Sequence, residues 1–186
     1  MESVSASPEP EHPLVHVAVA GGTLGEWDAL TEAQWDDRLR DLGKVADHVG
    51  ASWLTIRPYE EGRPVAVAPA SARRTRRLAL HQCEILASPD ADGRRRLADA
   101  VDRLVAAGID ITDDAIINTL NQPALADPDL VVVLGPPNRL PPSLVWELAY
   151  SELVFLDVAW ADLQPDHLGD AISAFAHRHR RFGGLD

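Results

Sequence analysis

A single α/β domain, with a mostly parallel central sheet flanked by helices, is predicted by three features of this 186-residue sequence. Short apolar runs at Val15–Ala20, Trp53–Ile56 and Leu130–Leu134 have the length of buried strands, and the near-continuous apolar character of DPDLVVVL suits a strand covered on both faces. Segments with helical spacing stand between and after them. The first strand, helix and strand form a βαβ unit, whose crossover is right-handed. With 46% hydrophobic residues, the chain can fill one sizeable core.

Residues 1–13, MESVSASPEPEHP, are acidic and rich in Pro and Ser, without the basic-then-apolar order of a signal peptide, and are expected to be a disordered tail. The strand Val15–Ala20 ends in Gly21-Gly22, a turn signal. Thr31 and Gln34 have capping-box spacing, and Trp35, Leu39, Leu42, Ala46 and Val49 recur at helical intervals until Gly50. Trp53–Ile56 is the second strand. Val65–Ala68 and the Leu78, Leu80, Ile85 region suggest two more, with RRTRR (Arg73–Arg77) between them as a turn or exposed edge. A helix over Asp90–Ala107 places Leu97, Val101, Leu104 and Val105 on one face and ends at Gly108, and Thr112 caps a short helix through Leu120. The strand Asp127–Leu134 precedes the loop GPPNRLPP. A helix at Leu144–Tyr150, a strand at Val154–Phe155 and a helix from Pro165 to about His177 complete the chain.

The composition excludes several roles. A net charge of −12 repels nucleic acid and anionic membrane, and RRTRR and RRR (Arg94–Arg96) lack the aromatic interleaving of a nucleic-acid site and read as solvated faces. Lys44 is the only lysine. An Arg-rich, Lys-poor composition suits phosphate recognition, but a GC-rich genome produces it more simply. The lone Cys83 permits neither an intramolecular disulfide nor a CxxC metal site, which fits a reducing cytoplasm. Of the seven histidines only His177 and His179 are spaced as ligands, and a pair alone makes no metal site. The apolar runs are too short to span a bilayer, which leaves a soluble or at most peripheral protein.

Four segments carry chemistry: HVAVAGGTLGEW (His16–Trp27), DPDLVVVLGPPNRLPPSLVW (Asp127–Trp146), LVWELAYSELVFLDVAWADL (Leu144–Leu163) and AISAFAHRHRRFGG (Ala171–Gly184). Read alone, Gly21, Gly22 and Gly25 make an ordinary strand-to-helix turn, with no P-loop Lys-Ser/Thr pair beside them. Alone, Glu152 is a solvated or salt-bridged surface carboxylate, and Arg178, Arg180 and Arg181 are a basic helix end favoured by the dipole. Together the segments resemble the signatures of the cis-prenyltransferase family, the undecaprenyl diphosphate synthases and their relatives.

The resemblance implies a domain over residues 14–177 and a mobile C-terminal RxG tail over 178–186. In the family's first loop an Asp handles the allylic diphosphate and its magnesium, and an Arg grips the phosphates. Here Gly22 stands for the Asp and Glu26 for the Arg. Glycine offers magnesium no side-chain oxygen, and a carboxylate about 4 Å from a phosphate oxygen costs on the order of 1 to 4 kcal/mol. Thr23 and Leu24 replace a Gly and an Asn. In the second signature Val133, Gly135, Pro137 and Pro141 replace an Arg, a Ser, a Glu and a Ser, which leaves Arg139 as the diphosphate-binding anchor. About twenty residues separate Thr55 from Arg77, too few for the paired helices that wall a lipid tunnel in the family.

By the same resemblance, Glu152 stands where a carboxylate helps hold magnesium, and Trp146, Tyr150, Leu153, Phe155 and Trp160 fall in the subunit interface. Arg181 and Gly183 match the tail that binds isopentenyl diphosphate in the partner's active site. A guanidinium forks onto phosphate and a glycine admits close backbone approach, so both suit that work. The Gly135-Pro136 loop resembles that of the family's non-catalytic branch, the Nogo-B-receptor-like subunits. The expectation is therefore a non-catalytic accessory subunit of a heteromeric cis-prenyltransferase, a heterodimer or heterotetramer with a catalytic homologue that holds the Mg2+. A self-sufficient enzyme on a short prenyl diphosphate, and a scaffold keeping only the dimer surface, stand as alternatives.

Overall fold

The computed structural model describes residues 13–60, 74–137 and 139–182, with side chains as far as Arg178. Strands β1 (His16–Ala20), β2 (Trp53–Arg57), β3 (Arg76–Leu80), β4 (Cys83–Ala87), β5 (Leu130–Leu134) and β6 (Glu152–Leu156) form one sheet in the order β3-β4-β2-β1-β5-β6. Only the β3/β4 hairpin is antiparallel. The helices are α1 (Leu24–Asp28), α2 (Glu32–His48), α3 (Gly93–Ala107), α4 (Asp113–Leu120) and α5 (Pro165–Phe182). The predicted α/β fold is the observed one.

Because strand side chains alternate between faces, β1 serves two cores at once. Val17 and Val19 join Trp35, Leu39, Leu168 and Phe175 beneath α2 and α5, whereas Ala18 and Ala20 meet Val131, Val133 and Leu144 on the other side. Helix α2 begins on the expected Thr31–Gln34 capping box. It lies close on the sheet at Gly43, where a Cβ would stand 2.8 Å from Ile85 Cδ1. Helix α3 ends as predicted at Gly108, with φ 67.

Several expectations change. Of the turn or exposed edge expected over Arg73–Arg77, Arg76 and Arg77 open the edge strand β3 and pair with Ala87 and Leu86. The buried face of α3 is Gly93, Arg96, Ala100 and Leu104, while Val105 is 62% exposed. A buried arginine masks that periodicity. Leu144–Tyr150 holds only a 3-10 turn, Glu147–Ala149, since Pro141 and Pro142 break the approach to it. Helix α5 runs through Phe182, so residues 178–182, expected as mobile tail, continue the helix. Residues 1–12 of the tail expected over 1–13, and the expected strand Val65–Ala68, lie outside the described residues.

His16 ties the start of β1 to the middle of β2 and to the segment that precedes β5. Its Nδ1 lies 2.9 Å from the Ala126 carbonyl, which only accepts, so Nδ1 carries the proton and Nε2 receives the Thr55 hydroxyl at 3.0 Å. Burial lowers the ring's pKa to about 4, against the hydrogen bond to Ala126 and the Asp129 charge. A histidine depressed in the folded state takes up its proton on unfolding. Stability is therefore whole above pH 6.5 and declines as pH falls towards 4, by about 3 kcal/mol across that window. Urea midpoints measured from pH 7 to 4 are expected to fall, with a shallower decline in His16→Asn.

Candidate active-site crevice

From β1 the chain winds outward to β2 and β4, then returns to β5 on the other flank. At such a reversal a crevice opens outside the carboxyl ends of the strands, the usual ligand site of open α/β sheets. Here it lies between the loops that follow β1 and β5, with Gly22 at φ 73 and Gly135 at φ 98.

That crevice is filled from within. The Trp160 indole lies against Gly22 so closely that a Cβ there would be 2.6 Å from Trp160 Cγ. Trp160 in turn stacks on Trp27, with centroids 5.8 Å apart, and tilts against Trp35 at 5.8 Å. The Arg38 guanidinium covers the Trp160 ring at 4.4 Å and donates to its carbonyl at 2.5 Å. Trp160 was expected at a subunit surface, but it is 3% exposed and belongs to the chain's own core. Three large indoles pack together more favourably than any one of them exposed.

Two backbone donors of the first loop, the Thr23 and Leu24 amides, are taken by carboxylates. Glu26 accepts from the Thr23 N–H at 2.7 Å and from the Thr23 hydroxyl at 3.0 Å, completing a capping box on α1. Glu60, just beyond β2, accepts from the Leu24 N–H at 2.5 Å. Two carboxylates thus occupy donors at the strand-to-helix turn. The Thr23-x-x-Glu26 spacing announces this cap in the sequence, whereas the approach of Glu60, 36 residues from Leu24, has no local signal.

The remaining site residues do not converge within one chain. Arg139 is exposed on the loop after β5. Glu152 opens β6 opposite Leu130, the first residue of β5, about 13 Å along the strands from the carboxyl edge where Gly22 stands. It pairs with Arg178 Nη1 at 3.1 Å, and the same guanidinium nitrogen donates to the Leu153 carbonyl at 3.1 Å, so Glu152 anchors the last turns of α5. Arg181 lies on the final turn of α5, and Gly183 lies outside the described residues. Trp146, Leu153 and Phe155 are half-buried, and Tyr150 is 84% exposed. Magnesium finds no fit here: among the described residues, no group of three His, Cys, Asp or Glu side chains is placed to hold an ion. The buried Cys83 thiol, pushed by burial to a pKa of about 11, is a poor nucleophile.

A second concavity, of about 990 Å³, lies between the carboxyl ends of β2 and β4 and the helices α3 and α4. Its wall holds a charged network that periodicity did not reveal. Arg96 donates to Glu147 Oε1 at 2.7 Å, to the Ser143 carbonyl at 2.7 Å and to the Leu120 carbonyl at 3.1 Å, and both charged side chains are buried. Arg57, the last residue of β2, is buried beside it.

The open, mostly parallel sheet, with glycine loops at its point of reversal, is that of a single α/β domain flanked by helices. Residues 72–183 match the family described as "Putative undecaprenyl diphosphate synthase". The chain belongs to this undecaprenyl diphosphate synthase, or cis-prenyltransferase, family. An isoprenyl transferase of Geobacillus kaustophilus is 42% identical over 91 residues, which are 49% of this chain and 35% of the relative. One from Neisseria meningitidis is 37% identical over 95 residues, 50% of this chain and 38% of the relative. The chain thus spans little more than a third of the length of the curated relatives it matches. The fold is similar to that of a probable undecaprenyl diphosphate synthase from Campylobacter jejuni, with TM-score 0.60 and 16% identity over 92% of this chain and 99% of that one. It is also similar to lavandulyl diphosphate synthase from Lavandula x intermedia, solved with dimethylallyl diphosphate, with TM-score 0.57 and 15% identity over 87% and 94% of the two chains. No described helix is long and apolar enough to cross a membrane.

Proposed function

We propose that this chain is a non-catalytic subunit of a heteromeric cis-prenyltransferase. It pairs with a catalytic homologue and supplies Arg181 and Gly183 to that partner's isopentenyl diphosphate site, while magnesium and the allylic diphosphate belong to the partner. The observation that supports this reading most directly is the crevice itself. The Thr23 and Leu24 amides of the loop after β1 go to Glu26 and Glu60, and Trp160 fills the space in which a side chain at position 22 would stand. An anion arriving there would meet carboxylates rather than donors.

The other features agree with a division of labour. Arg178, held by Glu152 and the Leu153 carbonyl, pins the last turns of α5, the helix that carries Arg181. Leu140, Val145 and Tyr150 are exposed apolar side chains in the segment leading into β6, suited to contact with a partner.

Co-expression with a catalytic homologue tests the proposal. The isolated chain is expected to transfer no isopentenyl unit to dimethylallyl, geranyl or farnesyl diphosphate. The complex is expected to be active and to lose on the order of a hundredfold in kcat/KM on Arg181→Ala, the loss of about 3 kcal/mol expected when one guanidinium–phosphate contact is removed. Full activity of the mutant complex, or turnover by the lone chain, overturns the assignment.

A further inference from the structure

Helix α5 is tied to the rest of the chain by a guanidinium at each end. At its start, Arg38 of α2 donates to the Trp160 and Ala161 carbonyls, in the turn that leads into the helix, at 2.5 and 3.4 Å. Near its end, Arg178 reaches back to β6, where a single nitrogen, Nη1, donates to Glu152 Oε1 and to the Leu153 carbonyl, each at 3.1 Å. That carbonyl is available because of its place in the sheet. β6 is the outermost strand, and its Glu152 N–H and Leu156 carbonyl bond to Asp129 and Gly135, at the two ends of β5. Backbone groups alternate in direction along a strand, so those of Leu153 and Phe155 face the open edge. Residues 179–182, the end of the helix, follow the anchor directly, and Arg181 stands about 4.5 Å along the axis beyond it.

We propose that Arg178 is a positioning residue: gripped by Glu152 and the edge carbonyl, it keeps the end of α5 ordered, so that Arg181 is presented to isopentenyl diphosphate on a formed helix instead of being recruited from a mobile tail. The inference rests on the accessory-subunit reading above. It gives Glu152 a task other than the one the family resemblance implies, because its carboxylate holds a guanidinium and not a magnesium ion. An arm ordered in advance loses less conformational entropy when it binds, which tightens substrate binding without altering the chemical step. One nitrogen makes both contacts of Arg178, so the ammonium of a lysine can take them over. The forked grip of Arg181 on a phosphate has no such substitute.

The test uses the complex with a catalytic homologue, carrying Arg178→Met, Arg178→Lys, Glu152→Gln or, as reference, Arg181→Ala. Arg178→Met is expected to raise KM for isopentenyl diphosphate on the order of tenfold with kcat within about twofold, the pattern of lost uniform binding. Arg178→Lys is expected to behave as wild type. Adding Glu152→Gln to Arg178→Met is expected to cost nothing further, and Glu152→Gln alone is expected to leave the half-saturating Mg2+ concentration unchanged. Hydrogen exchange in the isolated chain reads the anchor directly: the amides of residues 179–182 are expected to lose roughly tenfold in protection in Arg178→Met and to keep it in Arg178→Lys. An unchanged KM in Arg178→Met sinks the proposal whatever the exchange shows, as does unchanged exchange, or a lysine variant as impaired as the methionine one. A raised Mg2+ requirement in Glu152→Gln assigns that carboxylate to the metal and also overturns it. A harmless Arg181→Ala brings down the accessory-subunit reading itself, whereas a damaging Arg181→Ala beside a harmless Arg178→Met removes only the positioning role.

Discussion

Gly22→Asp is expected to unfold the loop after β1 rather than to create a reaction centre. The substitution puts back the carboxylate that the family resemblance places at this position, so simple replacement logic would anticipate a gain of function. The geometry forbids it. At φ 73 an L-residue is strained by about 1 to 3 kcal/mol. The new Cβ would also lie 2.6 to 2.9 Å from three atoms of the Trp160 ring, and forcing bulk into a packed site costs a further 1 to 3 kcal/mol, roughly. Trp160 cannot yield easily, because Trp27, Trp35 and the Arg38 guanidinium hold it. Denaturant unfolding should show a loss of roughly 2 to 6 kcal/mol, with no prenyl transfer by the isolated variant. A stable Gly22→Asp protein that turned over substrate would show that the indole is a movable plug and the site merely dormant.

Arg96→Met carries the other large effect. Removing the guanidinium leaves Glu147, 1% exposed, without its ion pair, and Glu147 Oε2 already lacks a hydrogen-bond partner among the described residues. The Ser143 and Leu120 carbonyls lose their donor as well. Breaking one side of a buried pair costs about 3 to 5 kcal/mol, whereas replacing both partners by apolar groups of similar volume is often neutral or stabilising. Arg96→Met alone should therefore lower the urea midpoint markedly, and Arg96→Met/Glu147→Leu should recover most of it. If the double variant were as unstable as the single one, the network's carbonyl bonds would matter more than its charges. The same wall flanks Arg57, and the double variant removes from beside it both a like charge, Arg96, and an opposite one, Glu147.

The parts of the fold legible in the sequence are those governed by near neighbours. Apolar runs marked β1, β2 and β5 because a strand buried on both faces must be apolar along its length. Thr31, Thr112 and Gly108 marked helix ends because caps act across three or four residues. Misreadings arose where distant contacts decided. Leu97, Val101 and Val105 fit a helical stripe, yet the turn of α3 that faces inward carries Arg96, whose burial depends on Glu147, 51 residues away. Trp160 lies in a segment dense in aromatics, which suits an interface as well as a core, and only contact with Gly22, Trp27 and Trp35 distinguishes the two.

For the candidate site, the sequence by itself determined which residues are missing. Gly22 supplies no carboxylate in any conformation, and Glu26 supplies no cation. Only the tertiary structure decided what stands in their place: an indole against the glycine and carboxylates on two of the loop's amides. Absence of a functional group is a property of one residue's covalent chemistry and can be read from the chain. Occupation of a site, and whether a buried charge is answered, depend on which distant side chains the fold brings within a few ångströms, and a one-dimensional pattern does not carry those distances.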